Sequence, residues 1–118
     1  MNLGAYFKAV EKSPRNYLNL WIEDGPVRAY CRYIATHYIN NRLRHCFDLA
    51  TVMVDESKQR QGHFKKFLKK LENLSPHPIR VENVGNEHLA LFLEKEGYII
   101  INDYSSIPSY FNENEKTL

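Results

Sequence analysis

Hydrophobic residues change their spacing near the middle of the chain, and this change predicts a strand followed by a helix. From Leu49 to Val54 the residues are almost all apolar, as expected of a strand that is covered on both faces. After a polar turn, Asp55–Gln61, and one glycine, Gly62, the apolar residues recur with the spacing of one helix face. These apolar residues are Phe64, Phe67, Leu68, Leu71 and Leu74, and the lysines Lys65, Lys66, Lys69 and Lys70 fill the opposite face. Strand, glycine turn and helix together organise the predicted fold.

The spacings typical of helices and of strands also predict the remaining elements. A short amphipathic helix is expected within residues 1–13, and Asn86 is placed to cap a later helix that ends at Gly97. Alternating or β-branched stretches predict the strands. The strand segments are Asn16–Glu23, Val27–Ile39, Leu43–Val54, Ile79–Val84, Tyr98–Ile101 and Ser109–Asn112. This order predicts an α+β (mixed α/β) domain with a central mixed, mostly antiparallel sheet and about three flanking helices.

Composition and charge argue against several classes of function. The chain has 118 residues, 43% of them hydrophobic, which fits one compact domain over 1–118. Lys and Arg total 16 against 14 Asp and Glu, and the net charge of +2 is small for a dedicated nucleic-acid-binding protein. No apolar run approaches the ~20 residues that span a membrane, and the N-terminus is too polar for a signal peptide. Cys31 and Cys46 lack a metal-ligand spacing, so we expect reduced thiols, out of register with each other, in a cytoplasmic protein.

The glycine turn before the central helix is the candidate ligand site. N–H groups in the first turn of a helix have no intrahelical partner and lie at the positive end of the helix dipole, so they suit a phosphate. We interpret the turn at Gly62 as a site for the pyrophosphate of a nucleotide-containing cofactor, with Lys58, Arg60 and Lys65 adding positive charge. The alternative is an ordinary capping glycine before a helix whose lysines face solvent, and the local sequence leaves both open.

Two sequence blocks resemble the GNAT superfamily of acyl-CoA-dependent N-acetyltransferases. The first is the run Gln59-Arg60-Gln61-Gly62-His63-Phe64, which is similar to the family's signature at the start of its central helix. Gln59 and Gly62 match that signature, whereas Phe64 replaces a small residue. The second block, Asn86 to Gly97-Tyr98, matches the start and end of the family's next helix. The resemblance extends through most of the predicted order of elements.

The resemblance implies a compact GNAT-like fold whose sheet splays into a V, with acetyl-CoA as cosubstrate and no metal. The central strand would present an N–H group to the thioester, and the glycine turn would hold the pyrophosphate. The pantetheine arm would lie in the gap beside the Ile79–Val84 strand. The residues that the resemblance and the local pattern together assign to acetyl-CoA are Val52, Met53, Val54, Gln59, Arg60, Gln61, Gly62, His63, Phe64, Lys65 and Asn86.

Transfer of an acetyl group to an amine needs a group that takes the amine's proton, and an acid is common in the family. We single out Glu82 as the base because it lies in an otherwise apolar strand, where burial would raise the pKa of its carboxyl. An outward-facing strand glutamate is the alternative, and Asp48 and Glu56 are weaker candidates. Leu93 stands where the family often has its acid tyrosine. Tyr104 is therefore the candidate acid, with a packing role as its alternative.

The sequence says less about the amine acceptor than about the cosubstrate. The region before the antiparallel strands is shorter than in the family, which would leave the acceptor side open. This favours a protein lysine or N-terminal amine over a small, enclosed amine. The aromatic residues Trp21, Tyr30 and Tyr38 alternatively indicate a homodimer face that rebuilds the missing wall. The absence of the usual tyrosine also leaves a second interpretation, a catalytically weak or inactive module that binds acyl-CoA or another protein.

Overall fold

A computed structural model of the chain describes residues 1–13, 19–39, 42–55, 57, 61–101 and 107–112, and for residues 34–38 it describes the backbone alone. Its helices are α1 (Leu3–Lys12), α2 (His63–Leu74) and α3 (Glu87–Lys95). Its strands are β1 (Asn19–Asp24), β2 (Val27–Ile39), β3 (Arg42–Val54), β4 (Ile79–Val81), β5 (Ile99–Ile101) and β6 (Ser109–Phe111). The predicted helices and strands are all present, but β4 ends at Val81 rather than at Val84.

The strands form one mixed sheet in the order β1-β2-β3-β4-β6-β5. β3 and β4 run parallel and α2 connects them, whereas the other described neighbours pair antiparallel. The predicted α+β class is therefore confirmed, with a mixed, mostly antiparallel sheet and three helices in the described part of the chain. The parallel pair lies at the centre of the sheet. Because α2 follows β3 in the chain, it begins beyond the end of this central strand.

The main core joins the sheet to all three helices and fixes the position of α2. As the helical spacing predicts, α2 buries one face. The buried residues of this face are Phe67, Leu68 and Leu71. Burial of each such side chain contributes on the order of 1.5–3 kcal/mol. The lysine face stays exposed, and Lys70 Nζ lies 3.0 Å from Asp24 Oδ2 at the end of β1. These contacts hold the first turn of α2 in a fixed place beside the sheet.

A β-bulge in β3 changes which of its side chains face the core. Ala50 is the extra residue. The register pairs on either side of it are Tyr30 with Thr51 and Cys31 with Leu49. Leu49 is buried in the core, and beyond the bulge Val52 and Val54 pack against the same core. The bulge thus directs the last valines of β3 towards the helices.

β3 extends beyond its parallel partner. Pairing with β4 ends at Leu49 and Val81, after which the N–H of Glu82 donates to the carbonyl oxygen of Leu49 at 3.0 Å. β3 continues to Val54, whereas the chain after β4 leads to α3. β3 therefore has no β4 partner beyond Leu49 in the direction of the first turn of α2, which leaves a gap beside it. A V-shaped splay of the sheet stays a prediction.

The two cysteines lie in paired strands but not opposite each other. Cys31 pairs with Leu49 and Cys46 pairs with Ala35, so the predicted lack of register is confirmed. Both thiols are free and buried. Burial raises the pKa of Cys31 to about 12 and that of Cys46 to about 11, which makes both thiols unreactive at neutral pH.

Candidate functional site

A cleft of about 410 Å³ lies in the gap beyond the end of β4. Its walls are the last residues of β3, the first turn of α2 and the first half of α3. The cleft brings together most of the residues that the sequence assigned to acetyl-CoA. These residues are Val52, Val54, Gly62, His63, Phe64, Lys65 and Asn86. A strand and two helices thus converge on one concave site, which is a common form of small-molecule site.

The first turn of α2 presents backbone N–H groups to this cleft. Gly62 is the N-cap residue and has φ of +80°, a left-handed conformation that glycine adopts without strain. The first intrahelical hydrogen bond runs from the N–H of Lys66 to the carbonyl oxygen of Gly62 at 3.1 Å. The N–H groups of residues 62–65 therefore have no partner within the helix. No side chain caps this end and the first turn holds no acidic residue, among the residues described. Such a turn suits an anion.

The opposite wall of the cleft is the edge of β3. Asp55 donates its N–H to the carbonyl oxygen of Pro26 at 3.2 Å, which is the direction of β2. Because N–H groups alternate in direction along a strand, the N–H of Met53 also points towards β2 and that of Val52 points into the gap. The Met53 side chain is exposed and does not line the cleft. The N–H of Val52 is thus placed to donate to a carbonyl oxygen held in the gap.

Asn86 lies at the start of α3, where it has a structural role. Its side-chain oxygen accepts a hydrogen bond from the N–H of Leu89 at 3.1 Å and so caps the helix. Because the oxygen makes the cap, the side-chain NH₂ group is left as a donor for a ligand in the cleft. The predicted cap is confirmed, and the residue also lines the cleft.

Phe64, the residue that departs from the family signature, does not displace the start of α2. Its ring stacks on Phe67 at 6.3 Å and meets Phe92 of α3 edge-on at 6.2 Å. The helix begins at His63, whose Nε2 lies 3.3 Å from Oε1 of Gln61. Gln61 itself does not line the cleft. The aromatic contacts tie the two helical walls together close to the N–H groups of α2.

Glu82, the predicted base, lies just after β4 in a cluster of charged side chains. Its Oε1 accepts hydrogen bonds from Nη1 of Arg80 and Nη1 of Arg32, each at 2.7 Å. Arg80 Nη1 also lies 3.4 Å from Oδ2 of the fully buried Asp48. Burial raises the pKa of Glu82, but hydrogen bonds with Asp48 and Arg80 and the charges of the two guanidiniums lower it below its ordinary value. The prediction of a raised pKa was therefore wrong.

The charge cluster lies on the other face of the sheet from the main core. Ile79 and Val81 pack in that core, so alternation along the strand places Arg80 and Glu82 on the opposite face. Glu82 does not line the cleft. A catalytic role for Glu82 stays a prediction, and its lowered pKa makes it a weak proton acceptor at neutral pH.

Several of the residues predicted for the site do not line the cleft or lie outside the described part of the chain. Leu93 is fully buried in the main core, so α3 presents no acid at this position. Other predicted site residues lie outside the described part of the chain. These residues are Gln59, Arg60 and Tyr104, together with the supporting candidates Glu56 and Lys58.

Three residues of α3 line the cleft without having been predicted there: His88, Leu89 and Phe92. A signal was available for two of them. Asn86, Leu89 and Phe92 are spaced by three, so they follow one face of the helix from the predicted cap. The sequence offers no comparable signal for His88. Nor does it place Arg32 beside Glu82, because that contact depends on strand register. Arg80 lies two residues before Glu82, so strand alternation did offer a signal for this contact.

The described residues include no group of three or more His, Cys, Asp and Glu side chains that could hold a metal ion. Among the helices described, none has the length and apolar character needed to cross a membrane. Neither a search of protein-family models nor a search of curated proteins found a match for this chain.

Proposed function

We propose that the cleft binds acetyl-CoA and that the protein transfers the acetyl group to an amine. One observation carries this proposal: the first turn of α2, which no described side chain caps, faces a cleft whose other wall is the part of β3 that extends beyond β4. Acetyl-CoA carries a diphosphate near one end and a thioester at the other, so it can use both walls. The two sequence blocks that resemble the GNAT superfamily support the same assignment.

The described residues offer a binding partner for the diphosphate, for the pantetheine arm and for the thioester. The N–H groups of residues 62–65 would hold the diphosphate, and Lys65 would add a positive charge. The side-chain NH₂ of Asn86 would donate to a carbonyl of the pantetheine arm. The N–H of Val52 would donate to the thioester oxygen. The apolar surfaces of Leu89 and Phe92 suit the arm between these polar groups.

The proposed reaction is direct attack of the amine on the thioester. The amine nitrogen bonds to the carbonyl carbon, and the carbon–sulfur bond breaks. The amine loses one proton, and the departing thiolate gains one. Negative charge on the carbonyl oxygen would be stabilised by the N–H of Val52. Glu82 and Tyr104 remain the proposed base and acid. The amine must be neutral to attack, so the rate should increase with pH as the acceptor loses its proton.

A second candidate function is a module that binds acyl-CoA, or another protein, without acetyl transfer. Two observations favour it. The pKa of Glu82 is lowered, and Leu93 is buried in the core at the position where the resemblance places an acid. The same cleft would then serve recognition alone.

Calorimetry and mass spectrometry together test and separate these functions. Titration with acetyl-CoA should show saturable binding, and no binding at millimolar acetyl-CoA would reject transfer of its acetyl group. Incubation with acetyl-CoA and a host-cell lysate should then yield acetylated lysines or N-termini. Binding without any acetylated acceptor would favour the second function. Acetylation confined to polyamines or aminoglycosides would reject a protein acceptor while keeping the transfer reaction.

A further inference from the structure

A second cavity, of about 260 Å³, lies at the opposite end of β3 from the acetyl-CoA cleft. Its walls are the first residues of β3 and the loop between α2 and β4. Four of its lining side chains are basic: Arg42, Arg44, His45 and His77. Neither Asp nor Glu occurs among the lining residues that are described. This concentration of basic groups contrasts with the chain as a whole, whose net charge is only +2.

The loop that carries His77 is held in a defined position. The hydroxyl of Ser75, itself buried, accepts the N–H of His77 at 3.1 Å and donates to its carbonyl oxygen at 2.9 Å. The N–H of Phe47 donates to the carbonyl oxygen of Pro78 at 2.9 Å. The imidazole ring meets the ring of Tyr33 edge-on at 5.5 Å. The imidazole is therefore oriented before any ligand arrives, which lowers the entropy lost on binding.

The first residues of β3 add two arginines to the lining of this cavity. Arg44 lines the cavity, and its guanidinium lies 5.1 Å from the centre of the ring of Phe111, which does not line the cavity. Arg42 is exposed at the start of β3. Burial and, to a smaller extent, the charge of His45 lower the pKa of His77, which shows that the two imidazoles interact. The cavity is thus lined by two interacting histidines and by two arginines, which strand alternation places on the other face of β3 from His45.

We propose that this cavity binds a phosphate group, as inorganic phosphate or as a phosphomonoester. Guanidinium groups present several N–H donors in a planar fork that matches the oxygens of phosphate, and protonated imidazoles add donors. The volume is several times the ~30 Å³ that one water occupies, so a phosphate with an attached organic group has room. The site is separate from the acetyl-CoA cleft and does not depend on the function proposed for that cleft.

Binding at this site is coupled to the protonation of His77. An anion beside the ring favours the charged imidazole and so raises the pKa of His77, and affinity must then increase as pH falls through that pKa. The other charged or titratable groups around the ring are His45, Arg42 and Arg44 of β3 and Tyr33 of β2, beyond which lies Glu11 of α1. Sulfate keeps its double charge between about pH 5 and 8, where histidine titrates, so it isolates the contribution of the protein.

Proton NMR of the imidazole signals tests the proposal on the whole chain. Inorganic phosphate at about pH 6.5 should shift the signals of His45 and His77 with saturation, whereas chloride at matched ionic strength should not. Sulfate titrations should show weaker binding as pH increases from 5 to 8. A phosphoserine peptide, compared with free phosphate, distinguishes a phosphomonoester from the free ion as the preferred ligand. His63 reports the acetyl-CoA cleft in the same spectra, so failure of one site is distinguishable from failure of the other.

Matched arginine variants complete the test. Arg42→Gln should weaken phosphate binding about tenfold, as expected for loss of one charge-assisted hydrogen bond. Arg28→Gln should leave it unchanged, because Arg28 is an exposed arginine at the far end of the β2–β3 hairpin, paired with Glu23 at 3.0 Å. If Arg42→Gln does not fold, the sulfate titrations of the wild-type protein between pH 5 and 8 still test the proposal. Absent or chloride-like shifts of His45 and His77, or equal losses in both variants, would overturn the proposal.

Discussion

Replacing Gly62 by Asp and by Asn separates the charge of a side chain at the start of α2 from its size. Gly62 has φ of +80°, and a Cβ added there would meet no other atom within 4 Å, so both side chains fit. Asn and Asp tolerate this left-handed conformation better than other residues, so the two variants carry similar strain. They differ by one negative charge beside the N–H groups of residues 62–65.

The size of the effect follows from Coulomb's law. Unit charges about 5 Å apart interact by about 3 kcal/mol at an effective dielectric constant of about 20, and by about 1 kcal/mol in bulk water. A carboxylate at position 62 would lie roughly this close to a diphosphate held by the first turn of α2. We therefore expect acetyl-CoA to bind Gly62→Asp roughly 10- to 100-fold more weakly than Gly62→Asn.

Calorimetric titration of both variants measures the difference, with thermal unfolding as the check that both are folded. S-Acetylpantetheine, which lacks the diphosphate, is the control ligand and should bind the two variants with equal affinity. Equal affinities for acetyl-CoA in the two folded variants would refute the argument, because a phosphate at the first turn of α2 must respond to a charge placed beside it. A difference that persists with S-acetylpantetheine would also refute it.

The cap of α3, the charge cluster and the buried thiols give further predictions. Asn86→Ala should remove the cap and about 1 kcal/mol of unfolding free energy, measured in urea. Asn86→Asp should keep the cap but weaken acetyl-CoA binding several-fold, because a carboxylate oxygen replaces the NH₂ donor and repels the carbonyl oxygen of the pantetheine arm. Wild-type affinity in Asn86→Asp would contradict a place beside the ligand. Glu82→Gln should lose about 2 kcal/mol of stability at neutral pH, because Arg32 and Arg80 each lose the charge of the Glu82 carboxylate, although Arg80 keeps Asp48. Since folding lowers the pKa of Glu82, its stabilisation is present above its ordinary pKa and is lost as pH falls through the folded-state value. The unfolding free energies of wild type and Glu82→Gln should thus converge as pH falls through the folded-state pKa of Glu82, and a constant difference would exclude an ionic origin. Cys31 and Cys46 should react with an aromatic disulfide reagent much more slowly in the folded protein than in urea, and equal rates would contradict their burial.

The elements around the cleft were predictable because their signals are local. The helical spacing of Phe67, Leu68 and Leu71 defined the buried face of α2 without reference to the rest of the chain. The cap at Asn86 likewise needs only the three residues that follow it. The strand, the glycine turn and the two helix starts were therefore placed correctly, and the cleft follows from joining them.

The environment of Glu82 was not predictable in full, because two of its partners, Arg32 and Asp48, come from other strands. The apolar neighbours in the sequence indicated a dry carboxyl with a raised pKa. In the structure, strand register brings Arg32 of β2 to Asp48 of β3, and Asp48 to Arg80 of β4. The Ala50 bulge, which redirects the end of β3, leaves no clear mark in an apolar run. Contacts across the sheet were thus missed because they depend on register. The contact between Arg80 and Glu82 was overlooked although both residues lie on one face of the same strand.

An NMR titration of the backbone amides with acetyl-CoA tests the central claim most directly. We expect saturable shifts at Gly62, His63, Phe64 and Lys65, where the phosphates would bind, together with shifts at Val52 and the side-chain NH₂ of Asn86. Saturable binding that leaves these groups unchanged, or shifts confined to the basic cavity at the other end of β3, would contradict it.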